Sequence, residues 1–117
     1  MTRTYRGQET CPVARTLDVI GQRWTVLIVR DLGGGKTRYS ELLESLPGIP
    51  SNLLSERLKQ LEADGIVTRS FYSEHPPRAA YALTEKGTAL GRVLVAMYRW
   101  GTDWEPVEDR TPVVTPA

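Results

Sequence analysis

The chain has 117 residues, 40% hydrophobic and 25% charged, the profile of one soluble globular domain that buries about 65% of its unfolded surface. A net charge of +1, one cysteine and one histidine exclude a disulfide framework, a multi-cysteine zinc site and a globally basic nucleic-acid binder. No apolar run approaches the ~20 residues that span a bilayer, and residues 1–7 lack a secretory apolar segment, so a cytoplasmic protein without membrane contact is expected. The charge is uneven: Glu105, Glu108 and Asp109 outweigh Arg110 in the tail, leaving +3 on residues 1–104. Any nucleic-acid surface must therefore be a local basic patch.

Residues 1–10, polar and carrying Arg3 and Arg6, read as a loose arm. Pro12 suits the first position of a helix, where its missing N–H costs nothing. Val13, Leu17 and Ile20 then recur at helical spacing until Gly21. A second helix runs from about Gln22 to Leu32, with Trp24, Leu27, Ile28 and Leu32 on one side. Val26 and Val29 widen that surface, so this helix should be the most buried. Gly33-Gly34-Gly35 is a flexible turn, because the Lys and Ser/Thr of a phosphate loop do not follow in order. Lys36, Thr37 and Arg38 lead into a third helix, in which Tyr39, Leu42, Leu43 and Leu46 repeat at i, i+3, i+4 and i+7 before Pro47-Gly48 ends it.

From Pro50 to Gly65 a fourth helix gathers Leu53, Leu54, Leu58 and Leu61 on one side. Ser51, Asn52, Ser55, Glu56, Lys59 and Ala63 lie around the other. Small hydrogen-bonding side chains let a helix backbone approach a DNA major groove and still read base edges. Most polar helix faces are simply solvated, and that reading stands beside the first. Two short helices joined by a few residues containing glycine are the signature of a helix-turn-helix.

Ile66 to Ser73, rich in Val, Thr, Phe and Tyr, changes to strand character, and Glu74-His75-Pro76-Pro77 is expected to be a loop. Arg78 to Leu83 alternates as a second strand, giving a hairpin with His75 and Arg78 at its tip. Thr84 is a plausible N-cap for one long final helix. Its stripe of Leu90, Val93, Leu94, Met97, Gly101 and Trp104, with Tyr98 and Trp100 beside it, outlasts what a small core needs. Part of that stripe should pack on another subunit; the alternative is a helix folded wholly onto its own domain. Glu105 to Ala117, with three prolines and no periodicity, is an expected disordered tail. The expected fold is α+β, mainly α: a winged helix-turn-helix of four helices, a two-stranded β wing and a long C-terminal dimerisation helix. Its parts are an arm at 1–10, a domain at 11–104 and a tail at 105–117.

Cys11-Pro12-Val13, Trp24-Thr25, Tyr39-Ser40-Glu41-Leu42, Gly48-Ile49, Leu54-Ser55-Glu56-Arg57-Leu58 with Leu61-Glu62-Ala63-Asp64-Gly65, and Tyr81-x-Leu83-Thr84-Glu85-Lys86-Gly87 together resemble the HxlR-type winged helix-turn-helix regulators. The likeness runs from about Cys11 to Gly101. It implies a homodimeric bacterial transcription factor joined through its first and last helices. In some members the cysteine matching Cys11 senses oxidants, quinones or aldehydes. Two positions depart from the family pattern: Pro50 stands where Ser often begins the recognition helix, and Asn52 where a basic residue often follows. Ser51 is expected to take over the cap, and the operator to differ from those of relatives.

Direct readout should fall to Ser51, Asn52, Ser55 and Lys59, since Asn pairs with adenine and Lys with guanine or phosphate. Glu56 could accept from cytosine or be a solvent-facing charge. Arg57, at the edge of the buried side, suits an ion pair at least as well as a phosphate. Lys36 and Arg38 are phosphate candidates. Arg78 could enter a minor groove or be a plain exposed arginine, and His75 is a surface loop residue. Cys11, at the cap position before Pro12, is the candidate for redox chemistry; a small semi-buried cysteine without a role is its alternative. Trp24, Tyr98, Trp100 and Trp104 could line a pocket for a small effector, though at helical spacing such residues are more often core. No base–nucleophile pair, paired carboxylates or metal spacing points to an enzyme, a cofactor or a metal. The leading reading is a dimeric regulator of a roughly palindromic DNA operator; the alternative is a winged helix used as a protein-interaction module.

Overall fold

A computed structural model of the chain describes residues 5–107, so the expectations for Arg3 and for residues 108–117 lie outside the described residues. Helix α1 (Pro12–Ile20) begins with proline in its first turn and closes where the Gly21 N–H donates to the Leu17 carbonyl at 2.8 Å. Helix α2 (Thr25–Gly33) starts three residues later than the periodicity predicts. Trp24 precedes it in the left-handed region, with φ 78°, and reverses the chain between the two helices. Hydrophobic spacing carries no signal for such a reversal, because it depends on backbone angle and not on side-chain polarity.

Helices α3 (Tyr39–Ser45) and α4 (Ser51–Ala63) complete the helix-turn-helix. One core cluster joins Ile28, Val29 and Leu32 of α2, Leu42 of α3, and Leu54, Leu58 and Leu61 of α4 to Leu46, Ile49, Ile66, Val67 and Leu94. Full burial of each such side chain contributes about 1.5–3 kcal/mol. Among the described residues α2 carries the most buried positions of any helix, as expected. Its inward set differs in detail, however. Leu27 is 39% exposed, while Thr25 and Asp31 occupy interior places. Asp31 is tolerated there because its Oδ1 accepts from Arg30, at 3.0 Å from Nη2 and 3.1 Å from Nε.

Strands β1 (Val67–Glu74) and β2 (Pro77–Leu83) pair antiparallel from Val67–Leu83 to Glu74–Pro77, with an irregularity between Phe71 and Ser73 that leaves Tyr72 without a partner. The ladder thus reaches further than the sequence suggests. Glu74 and Pro77 belong to it, and the connection shrinks to His75-Pro76, joined by a cis peptide bond. Proline is accommodated because it is the first residue of its strand, beside the hairpin connection.

The single long final helix expected from the sequence is two helices, α5 (Glu85–Ala89) and α6 (Gly91–Trp104). Thr84 caps the first, its Oγ1 accepting from the Gly87 N–H at 3.0 Å, while the Thr84 N–H donates to the Ile66 carbonyl at 2.9 Å. Gly87 lies so close to the entry of β1 that an added Cβ would sit 2.2 Å from the Ile66 carbonyl oxygen. With α5 clamped there, the chain tightens at Leu90, whose N–H reaches back three residues to Gly87 at 3.1 Å, and α6 begins at Gly91. Leu94 is the one buried residue of α6. Met97, Trp100 and Trp104 are 49%, 61% and 71% exposed. Among the described residues no helix is long and apolar enough to cross a membrane.

Alanine ordinarily stabilises a helix by up to ~1 kcal/mol over glycine. At Gly87 the opposite is expected: Gly87→Ala should destabilise by about 1–3 kcal/mol, as overpacking does. Urea denaturation followed by circular dichroism reads the sign directly.

Candidate nucleic-acid interface

Leu54, Leu58 and Leu61 anchor α4 in the core, so the helix can present only its other side to solvent. Ser51, Asn52, Glu56 and Lys59 are exposed, whereas Leu53 and Ser55 are half-buried at the border. Arg57 forms no ion pair among the described residues. Its Nε donates to the Arg23 carbonyl at 3.0 Å, which ties α4 to the segment before α2 and spends the side chain on structure.

The start of α4 is held in a way the sequence does not predict. Pro50 is the N-cap, no side chain caps the helix, and the expected capping role of Ser51 is not taken up. Instead the Tyr39 hydroxyl of α3 donates to the Ser51 carbonyl at 2.6 Å and lies within hydrogen-bond reach of the Ser51 hydroxyl, while Ser55 Oγ donates to it from 3.4 Å. A phenol between two helices competes successfully for the serine that would otherwise turn back on its own backbone. One tyrosine thus sets the position of two of the four side chains assigned to base reading. The available signal was its hydroxyl: a tyrosine inside an apolar stripe needs a polar partner.

Lys36 and Arg38 flank the entry to α3. Lys36 is half-buried and Arg38 exposed. Glu41 Oε1 accepts from the backbone N–H groups of Arg38 at 2.9 Å and Thr37 at 3.1 Å, capping the helix from its first turn. These two bonds, and more weakly the charges of Arg38 and Lys36, hold the Glu41 carboxyl below the usual carboxylate range. The wing docks on the same entry. The Tyr81 N–H donates to the Thr37 carbonyl at 2.8 Å, and Arg38 forms a bridge with Ala80. Arg78 is exposed opposite Ser73, next to the hairpin connection. Arg69 pairs with Glu62 of α4 at 3.8 Å.

Cys11 stands at the N-cap of α1 as a half-buried free thiol and makes no capping hydrogen bond. The four aromatic residues weighed as a pocket are not brought together by any described cavity. Tyr98 lines one of ≈330 Å³ with Met97, Gly101 and Pro106, but Trp24 packs on the core under Arg23. Among the described residues no group of three His, Cys, Asp or Glu side chains could hold a metal.

The family model of HxlR-like helix-turn-helix proteins matches residues 19–109, beginning after Cys11. The HTH-type transcriptional regulator sll1512 of Synechocystis sp. is 42% identical over 94 residues, covering 80% of this chain and 70% of the relative. Among solved structures, the reduced form of the regulator YodB from Bacillus subtilis superposes with TM-score 0.70 at 40% identity, covering 84% of this chain and 98% of that one. The redox regulator HypR in its reduced form gives TM-score 0.76 at 38% identity, covering 86% and 99%. Oxidised HypR and diamide-treated YodB match as well, with TM-scores of 0.72 and 0.66. These proteins are transcription regulators, not enzymes.

Tyr39→Phe keeps the ring and removes the hydroxyl; it should cost about 1 kcal/mol, the net worth of a hydrogen bond. Amide exchange at 51–55 should accelerate most. Glu41 has a depressed folded-state pKa, so its stabilisation is complete above the unfolded value and is lost as pH falls through the folded one. Glu41→Gln should therefore be less stable at neutral pH and lose less stability on acidification than the unchanged protein, as read from thermal melts across the carboxylate range.

Proposed function

The chain belongs to the HxlR-like helix-turn-helix family, and from that premise we propose that it acts in the cytoplasm as a homodimer reading a roughly palindromic double-stranded DNA operator. The observation that carries this reading is the orientation of α4, with its leucines in the core and Ser51, Asn52, Glu56 and Lys59 facing solvent. In the major groove, Asn52 is assigned to adenine, Ser51 and Ser55 to adjoining bases, and Lys59 to guanine or phosphate. Glu56 would accept from cytosine N4. Lys36 and Arg38 are assigned to backbone phosphates, and Arg78 to the neighbouring minor groove.

Dimerisation through the first and last helices is supported by the apolar surface both leave uncovered. Val13 and Leu17 of α1 are 69% and 41% exposed, and α6 adds Met97, Trp100 and Trp104. A two-fold pairing of such faces places two copies of α4 on half-sites about one helical turn, ~34 Å, apart. Cys11 is assigned as the residue through which an oxidant or electrophile releases DNA. Support comes from its half-buried place at the start of α1 and from the reduced and oxidised forms of the related HypR. As the chain's one cysteine, it would form a disulfide between subunits or with a small thiol.

Fluorescence anisotropy with an operator recovered from a random-sequence selection tests the reading. Asn52→Ala should cost about 1–3 kcal/mol at one base pair and leave non-specific affinity nearly unchanged. Lys36→Ala should weaken binding to all sequences alike and lower the salt slope by about one. Indifference to every duplex at low ionic strength, or sedimentation as a single subunit at assay concentrations, would refute the proposal. For the sensing role, Cys11→Ser should retain DNA binding and lose its release by diamide; unchanged release rejects that role.

A further inference from the structure

We propose that Tyr72, the unpaired residue of the wing, is a positioning residue that holds the Arg38 guanidinium in place for a DNA phosphate. The proposal rests on the DNA-binding reading above and deepens it by making the wing part of the phosphate-binding apparatus of the helix-turn-helix. The Arg38 guanidinium carbon lies over the Tyr72 ring, 4.6 Å from its centroid. Tyr72 is free to take this position because the irregularity between Phe71 and Ser73 removes it from the ladder and re-aims its side chain. The ring is also 46% exposed, so the pair it forms stands at the surface.

The two partners cannot drift apart easily. Arg38 is bridged to Ala80 of β2, and the Tyr81 N–H donates to the Thr37 carbonyl at 2.8 Å, fixing the wing against the entry of α3. Glu41, whose carboxyl feels the Arg38 charge, accepts instead from the backbone N–H groups of Arg38 and Thr37. Among the described residues the Arg38 guanidinium has no hydrogen-bonded or ion-paired partner, so its N–H donors remain available to an anion. Arg69 makes the contrast clear. It too lies near a ring, 5.5 Å from Phe71, but its charge is already paired with Glu62.

A cation over an aromatic face uses the face of the guanidinium and leaves its in-plane N–H fork for bidentate phosphate binding. An exposed cation–π contact raises the population of the held conformation by about two- to fivefold. Without the ring, that rotamer must be ordered at the moment of binding.

The experiment is a double-variant cycle at Arg38 and Tyr72, with affinity for one specific and one random duplex measured against salt. Arg38→Ala should weaken both duplexes and lower the salt slope by about one. Tyr72→Leu, which removes no charge, should weaken both duplexes by about two- to fivefold, and Tyr72→Phe should restore binding. The Arg38→Ala/Tyr72→Leu protein should bind no more weakly than Arg38→Ala alone. Circular dichroism checks that each variant folds, and Tyr72→Thr, a strand-compatible residue, carries the same expectation if the leucine variant does not. Unchanged affinity in Tyr72→Leu (or in Tyr72→Thr where that variant stands in for it), or strict additivity of the two losses, overturns the positioning role while DNA binding stands. Failure of the unchanged protein to bind either duplex overturns the DNA-binding reading beneath it.

Discussion

Burial of Leu54, Leu58 and Leu61 against Ile28, Leu42 and Leu46 is the constraint from which the rest of the molecule follows. Those three leucines cannot turn outward without losing about 1.5–3 kcal/mol each. The polar side of α4 is therefore fixed in direction as firmly as the core is packed. A surface used for recognition gains from this, because a pre-oriented helix does not have to be ordered when a partner arrives. The small side chains at its start, Ser51 and Asn52, are presented by an element whose freedom has already been removed.

Around α4, single contacts from neighbouring segments control its two ends. Tyr39 holds the first turn through the Ser51 carbonyl and the two serine hydroxyls. Arg57 and Lys86 act further along: Arg57 donates to the Arg23 carbonyl, and Lys86 Nζ donates to the Asp64 carbonyl at 2.8 Å. Each bond joins α4 to a different segment, and the uncapped N-terminus relies on them, whereas Gly65, with φ 76°, closes the C-terminal end as the Ile66 N–H donates to the Leu61 carbonyl at 2.9 Å. The wing is tied in the same way to the entry of α3, where Thr37 and Arg38 serve helix and sheet together. The cationic residues Arg38 and Arg78 are thereby carried by one continuous unit with α4.

Helix α6 stands in a different balance. It contributes Leu94 to the core and leaves Met97, Trp100 and Trp104 to solvent in the single chain. The break at Leu90 separates α5, held against Ile66 through Gly87, from α6, which begins at Gly91. The five-residue α5 packs against the entry of β1, and the fourteen-residue α6 adds Leu94 to the core while offering the apolar face.

The sequence by itself determined the order of the first four helices and the two strands, the helix-turn-helix followed by a wing, the inward leucines of α4 and the family likeness. All of these rest on local signals: hydrophobic period, helix breakers and strand-forming residues act within a few positions of one another. Tertiary structure alone decided the contacts that such signals cannot encode. Trp24 takes a left-handed backbone between two helices, Gly87 is needed because the Ile66 carbonyl lies against it, and Pro77 joins the ladder as the first residue of its strand beside the turn. Ser51 answers to Tyr39, twelve residues away, instead of capping its own helix, and Arg57 to Arg23, thirty-four away. A hydrogen bond or a close approach between distant residues exists only once the chain has brought them together, so no reading of neighbours along the sequence can supply it.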